Sequence, residues 1–156
     1  MAQFTLQLDP ANGPVLTIVI GVSVPRGDAL MTAGQPVPNG MSARALIDTG
    51  ASCSCVDPAI LAKLDLTPTG TVSVHTPSTG GAAHLAEQYD VSLIVPGAGT
   101  HHVPLVIPAV PVMAANLSLQ GVDALIGRDV LRDCIFIYNG SLGISRSRSE
   151  SKGRST

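Results

Sequence analysis

The chain carries 16 glycines and 12 prolines among 156 residues, and they cut it into short runs rich in Val, Ile, Leu and Thr. Proline removes a backbone donor and clashes inside a helix, and glycine weakens one, so this punctuation works against long helices. The runs cover residues 3–8, 15–24, 42–47, 71–75, 85–95, 102–107, 124–126, 134–138 and 142–145. Many short β-branched runs between turn signals are the pattern of an all-β protein. Asp9-Pro10-Ala11-Asn12-Gly13 reads as a hairpin turn joining the first two runs. Asn139-Gly140 reads as a tight turn joining the last two.

Two short helices interrupt this pattern. Asp57 precedes Pro58 and an apolar-periodic run to Leu64, which predicts an N-capped helix with proline in its first turn. A second, about two turns long, is predicted after Gly127, before the run that starts at Cys134. The Gly/Pro-rich stretch 25–41 reads as a loop. Residues 1–145 read as one domain, and the Ser/Arg-rich stretch 146–156 as a disordered tail.

Charge narrows the class of protein. Only 13% of residues are charged, about half the usual share, while 45% are apolar and mean hydropathy is +0.35. So few charges on so small a body imply that part of the surface is covered by another molecule. The longest apolar stretch, 15–24, is broken by Thr17, Gly21 and Ser23, and a spanning helix needs roughly 20 apolar residues, so no membrane partner is expected. The start of the chain, MAQFTLQLDP, shows no basic n-region and no small-residue cleavage site, so no signal peptide is expected. Three cysteines, Cys53, Cys55 and Cys134, are an odd number for a disulfide framework. Together these features predict a cytoplasmic location. Residues 1–140 hold 5 basic and 10 acidic side chains, and the only aromatics are Phe4, Tyr89, Phe136 and Tyr138. An acidic body without a stacking platform speaks against a nucleic-acid partner.

Two segments carry the chemistry. In Ala45-Leu46-Ile47-Asp48-Thr49-Gly50-Ala51-Ser52 an apolar strand runs into an acid, a hydroxyl residue, glycine and a small residue. An aspartate ending a buried strand is costly unless it is solvated, paired or hydrogen-bonded. In Val122-Asp123-Ala124-Leu125-Ile126-Gly127-Arg128-Asp129-Val130-Leu131 a second apolar strand ends in glycine and enters a short helix. Between them, the β-like runs 71–76 and 83–95 flank the small tip Pro77-Ser78-Thr79-Gly80-Gly81.

Strand, Asp-Thr-Gly-Ala, hairpin, apolar-apolar-Gly-Arg, short helix and terminal strand, in that order, resemble the retroviral-type aspartic proteases, the retropepsin family, in a bacterial-looking member. The resemblance implies a closed barrel-like all-β fold with a flap hairpin and one or two short helices. It implies an aspartic endopeptidase acting on a polypeptide substrate, without metal or other cofactor. Peptide hydrolysis by this route needs two carboxylates, one activating water and one protonating the carbonyl oxygen. The chain holds one Asp-Thr-Gly and is too short for two lobes. The resemblance therefore implies a homodimer in which Asp48 of each copy forms the dyad. Thr49 would bond across the two-fold axis, Gly50 would present its backbone to substrate, and Ala51 would complete the loop. Arg128 would brace that loop, and Ser78, Thr79, Gly80 and Gly81 at the flap tip would contact the substrate backbone. Many retroviral enzymes have an acid at the position of Ser52 that pairs with this arginine. Here Arg128 must turn to Asp57, Asp129 or backbone carbonyls.

Other readings stand beside this one. A non-catalytic peptide-binding or dimerisation module on the same fold would keep the cleft without turnover. Cys53-Ser54-Cys55 with Cys134, His101 and His102 is a weak zinc pattern, because structural sites favour wider cysteine spacing. Packed thiols fit these cysteines better. A cysteine protease would need His75 or His84 beside Cys53 or Cys55.

Overall fold

The computed structural model describes residues 3–74, 84–96, 103–132 and 134–149. Its strands are β1 (Gln3–Gln7), β2 (Val15–Val22), β3 (Met41–Ile47), β4 (Cys55–Val56), β5 (Gly70–Val74), β6 (His84–Val95), β7 (Leu105–Ala114), β8 (Ala124–Ile126), β9 (Cys134–Asn139) and β10 (Ile144–Ser149). Three short helices join them: α1 (Val24–Thr32), α2 (Pro58–Lys63) and α3 (Arg128–Leu131). None of the described helices is long and apolar enough to cross a membrane.

Six strands close on themselves in the order β2-β3-β8-β4-β7-β6, with β6 pairing back onto β2. This is the all-β closed barrel that the sequence predicts. Period-two alternation fills its interior. Leu16, Ile18, Ile20 and Val22 of β2 are all buried, as are Ala43, Ala45 and Ile47 of β3. Val91, Leu93 and Val95 of β6 face them, with Leu61 and Leu64 from the α2 region. β5 pairs with the start of β6 as an antiparallel hairpin outside the ring.

A separate three-stranded sheet has the order β1-β10-β9. The turn Asp9–Gly13 forms, with reciprocal backbone bonds of 2.8 Å and the Asp9 carboxylate accepting from Ala11 and Asn12. It does not make a hairpin of β1 and β2, however. β1 pairs with β10 and β2 with β3, so the turn carries the chain from one sheet to another. The β9–β10 connection is Gly140-Ser141-Leu142-Gly143, with Gly143 at φ 61, rather than a two-residue turn. β10 (Ile144–Ser149) runs between β1 and β9, so its backbone covers 146–149 of the stretch read as a tail. Alternating Ser and Arg satisfy a central strand's backbone pairing without any apolar signal. The rest of that tail, 150–156, lies outside the described residues.

The expected loop 25–41 contains α1. Pro25 falls in the first helical turn, where its missing N–H costs nothing. Gly34 ends the helix at φ +66, with Gln35 N donating to Leu30 O and Gly34 N to Met31 O. These are the bonds of a Schellman C-cap. α2 forms as predicted, its N-cap Asp57 accepting from Ala59 N at 3.0 Å. β7 runs to Ala114, past Pro108 and Pro111. Between the pairs Val91/Val110 and Leu93/Ile107, Ser92 faces both Pro108 and Ala109, a bulge that tolerates proline. At Pro111 only β6 flanks the strand, since β4 begins opposite Met113.

Candidate functional site

β3 and β8 are parallel neighbours, in register Ala45↔Ala124, Leu46↔Leu125 and Ile47↔Ile126. Each strand is therefore left at the same level, by Asp48 on one side and Gly127 on the other. The two sequence motifs meet at one end of the barrel. Asp48 N donates to Ile126 O at 3.0 Å, which extends the ladder by one residue. The chain then turns: Asp48 Oδ1 accepts from Gly50 N at 2.8 Å, and Asp48 O accepts from Ala51 N at 3.3 Å. This side-chain-to-backbone turn holds the carboxylate by one oxygen. Among the described residues, none donates to Oδ2. Asp48 is half-buried, while Thr49 and Gly50 are exposed at the tip.

Arg128 closes the loop from the other side. Its backbone N donates to Ala51 O at 3.0 Å. Its Nη1 donates to Thr49 O at 2.8 Å and to Gly50 O at 3.0 Å. Of the three partners anticipated for Arg128, the backbone carbonyls are the ones used. Asp57 instead accepts from Ala59 N and, through Oδ2, from Leu117 N at 3.0 Å.

Below the loop lies a polar knot that the sequence did not reveal. Ser54 is 1% exposed. Its hydroxyl donates to Asp129 Oδ1 at 2.8 Å and accepts from Gly127 N at 3.0 Å, while its backbone N donates to Asp129 Oδ2 at 2.8 Å. Asp129 Oδ1 also accepts from Val130 N at 2.9 Å. A buried hydroxyl and a carboxylate are thus both satisfied, as burial demands. Gly127 is required here, because a Cβ would lie 2.6 Å from the carbonyl carbon of Cys53. Ser54 and Asp129 are 75 residues apart, and no local pattern pairs them.

The cysteines pack rather than bond. No disulfide joins Cys53, Cys55 and Cys134. Cys53 Sγ lies 3.7 Å from Met113 Sδ. Burial, reinforced by the neighbouring Cys53, Asp129 and Asp48, pushes the Cys55 thiol up to about 11. Among the described residues no three His, Cys, Asp or Glu side chains converge. His75, His101 and His102 lie outside the described residues.

The fold thus brings Asp48, Thr49, Gly50, Ala51 and Arg128 into one loop cluster. Ser78, Thr79, Gly80 and Gly81 lie outside the described residues, so the structure speaks only for the stem of that hairpin, from Gly70↔Gln88 to Val74↔His84. Asp123 and Asp129, the other acids near the second motif, are both engaged. Asp123 Oδ2 accepts from Arg44 N at 2.8 Å, and Asp129 holds Ser54.

No curated protein matches the chain in sequence. A family model described as aspartyl protease matches residues 36–136, a span that starts before β3 and ends within β9 and so contains both motifs and the barrel strands between them. With a retropepsin-like barrel and that match over most of its length, the chain belongs to the aspartyl protease family.

Proposed function

We propose that the protein is an aspartic endopeptidase that works as a homodimer. Asp48 of one copy and Asp48 of its partner form the catalytic dyad. The observation that carries this reading is the fixed Asp48 loop: one carboxylate oxygen is tied to Gly50 N, the other accepts from no described donor, and Arg128 holds the loop's carbonyls. An aspartate so positioned needs a second carboxylate, and among the described residues Asp123 and Asp129 already accept hydrogen bonds within the chain. A two-fold axis through the loop tips supplies the second one.

Two close carboxylates cannot both ionise, so the pair shares one proton. The ionised member takes a proton from water as it attacks the scissile carbonyl carbon. The protonated member donates to the carbonyl oxygen, giving a neutral tetrahedral intermediate. Collapse breaks the C–N bond as the proton taken from water goes to the leaving amine. One hydroxyl of the intermediate returns its proton to the other carboxylate, which leaves a carboxylic acid and restores the singly protonated pair. Thr49 would tie the two loops together across the axis, and Gly50 and Ala51 would offer backbone to the polypeptide. Ser78, Thr79, Gly80 and Gly81 at the hairpin tip would cover it. The chemistry draws on no metal or other cofactor. Cysteines outside disulfides suit a reducing, cytoplasmic setting.

The test is Asp48→Asn assayed on a diverse peptide library. Cleavage falls by about 10³-fold or more, with the circular-dichroism spectrum unchanged. A variant that still cleaves at the wild-type rate overturns the reading. A wild-type protein that binds peptides without any product is instead a peptide-binding module.

A further inference from the structure

A cavity of about 290 Å³ opens between α1, the segment that follows it and the end of α2. Arg26, Leu30, Gln35, Pro36, Pro38 and Asp65 line it. Small-molecule pockets run from about 300 to 1,000 Å³, so an occupant here is small. Arg26 and Leu30 lie one turn apart on one face of α1.

The Arg26 guanidinium is under-used. Its Nε is shut off from solvent and has no hydrogen-bond partner. Its Nη2 reaches only the backbone oxygen of Asp65, at a long 3.4 Å. Among the described residues Arg26 makes no ion pair; the one recorded there joins Arg44 to Asp9. A buried N–H without an acceptor is costly, and a ligand oxygen would remove that cost. Asp65 is unusual in its own way. It follows α2 at φ 50, a left-handed position that glycine fills most easily. The Schellman bonds Asp65 N to Ala62 O and Leu66 N to Leu61 O hold it there. Asp65 borders the same cavity as Arg26, and the two side chains form no ion pair.

We propose that this pocket binds a small zwitterion with an apolar side chain, a free amino acid or a dipeptide. The carboxylate meets Arg26, the ammonium meets Asp65, and the side chain packs on Leu30, Pro36 and Pro38. A simple anion would be repelled by Asp65 and a simple cation by Arg26, whereas a ligand carrying both charges complements both. The site uses no residue of the Asp48 loop, so it stands or falls apart from the proteolytic reading.

The experiment is calorimetric titration of the full chain with leucine, leucyl-leucine, N-acetyl-leucine and leucinamide. Leucine or leucyl-leucine binds saturably, and the tighter of the two identifies the source. N-acetyl-leucine and leucinamide each bind about tenfold more weakly or worse, since each lacks one charge. Arg26→Gln weakens the zwitterion by about tenfold or more. Asp65→Asn weakens it too but strengthens binding of N-acetyl-leucine, an anion that the Asp65 carboxylate no longer repels. Thermal melts establish that each variant folds, and if Arg26→Gln does not, Asp65→Asn decides alone. No saturable binding by either zwitterion up to about 10 mM, equal binding of the capped forms, or binding unchanged in the folded variants overturns the proposal.

Discussion

The Arg128 guanidinium donates to the carbonyl oxygen of Thr49 at 2.8 Å, across 79 residues of sequence. The same nitrogen reaches Gly50 O, and the Arg128 backbone N reaches Ala51 O. Three consecutive carbonyls of the Asp48 loop are therefore held by one residue.

Arg128→Gln removes the charge-assisted part of this brace and leaves the backbone bond. Hydrogen bonds to charged groups are worth about 1.5–3 kcal/mol, and Arg128 is exposed, so the loss in stability is about 1–2 kcal/mol. The loss in kcat is larger in proportion, at least about tenfold, because a loosened loop misplaces Asp48. Urea denaturation and steady-state kinetics on one cleavable peptide separate the two effects.

Ser54→Ala strands Gly127 N without its acceptor and removes one of the bonds to Asp129. Leaving a buried donor unsatisfied costs about 1–3 kcal/mol. Asp129→Asn weakens the same knot, so the double variant is less destabilised than the two single losses predict. A coupling of about 0.5–3 kcal/mol in a denaturation cycle is the expected result.

Gly127→Ala drives a Cβ to 2.6 Å from backbone of Cys53, which has no flexible end to yield. Overpacking of this kind costs about 1–3 kcal/mol. It moves the segment that links Asp48 to Ser54, so thermal stability and turnover fall together.

Cys55 gives a pH dependence with a definite sign. Its folded thiol titrates at about 11 against an ordinary value of 9.0, so in that window the folded state binds more protons than the unfolded state. Stability therefore falls as pH rises from 9 toward 11, and the favourable difference lies below 9. Cys55→Val removes this contribution. Its denaturation midpoint declines less steeply than the wild type's when both are measured at pH 8 and about 10.5.

What the sequence disclosed was whatever is written locally. The apolar runs that form β2 and β3, the Asp57 cap and the two motifs around Asp48 and Gly127 were all readable. α1 was missed because Pro25, Gly27 and Gly34 look like breakers, yet Pro25 opens the helix and Gly34 closes it. β4 was missed because two residues carry no period. The β1–β10 pairing and the bond from Ser54 to Asp129 depend on contacts far apart in the chain, and a single sequence holds no record of them. Arg128 was identified, but its acceptors are carbonyls, which every residue has and none advertises.

The shared dyad is tested most directly by subunit mixing. Wild-type protein is held at fixed concentration, equilibrated with increasing Asp48→Asn protein, and assayed on one peptide. If each active site draws one Asp48 from each copy, activity falls as mixed dimers replace wild-type ones and approaches zero at large excess. Activity that stays constant, with the two proteins shown to exchange subunits, contradicts a dyad built from two Asp48 side chains.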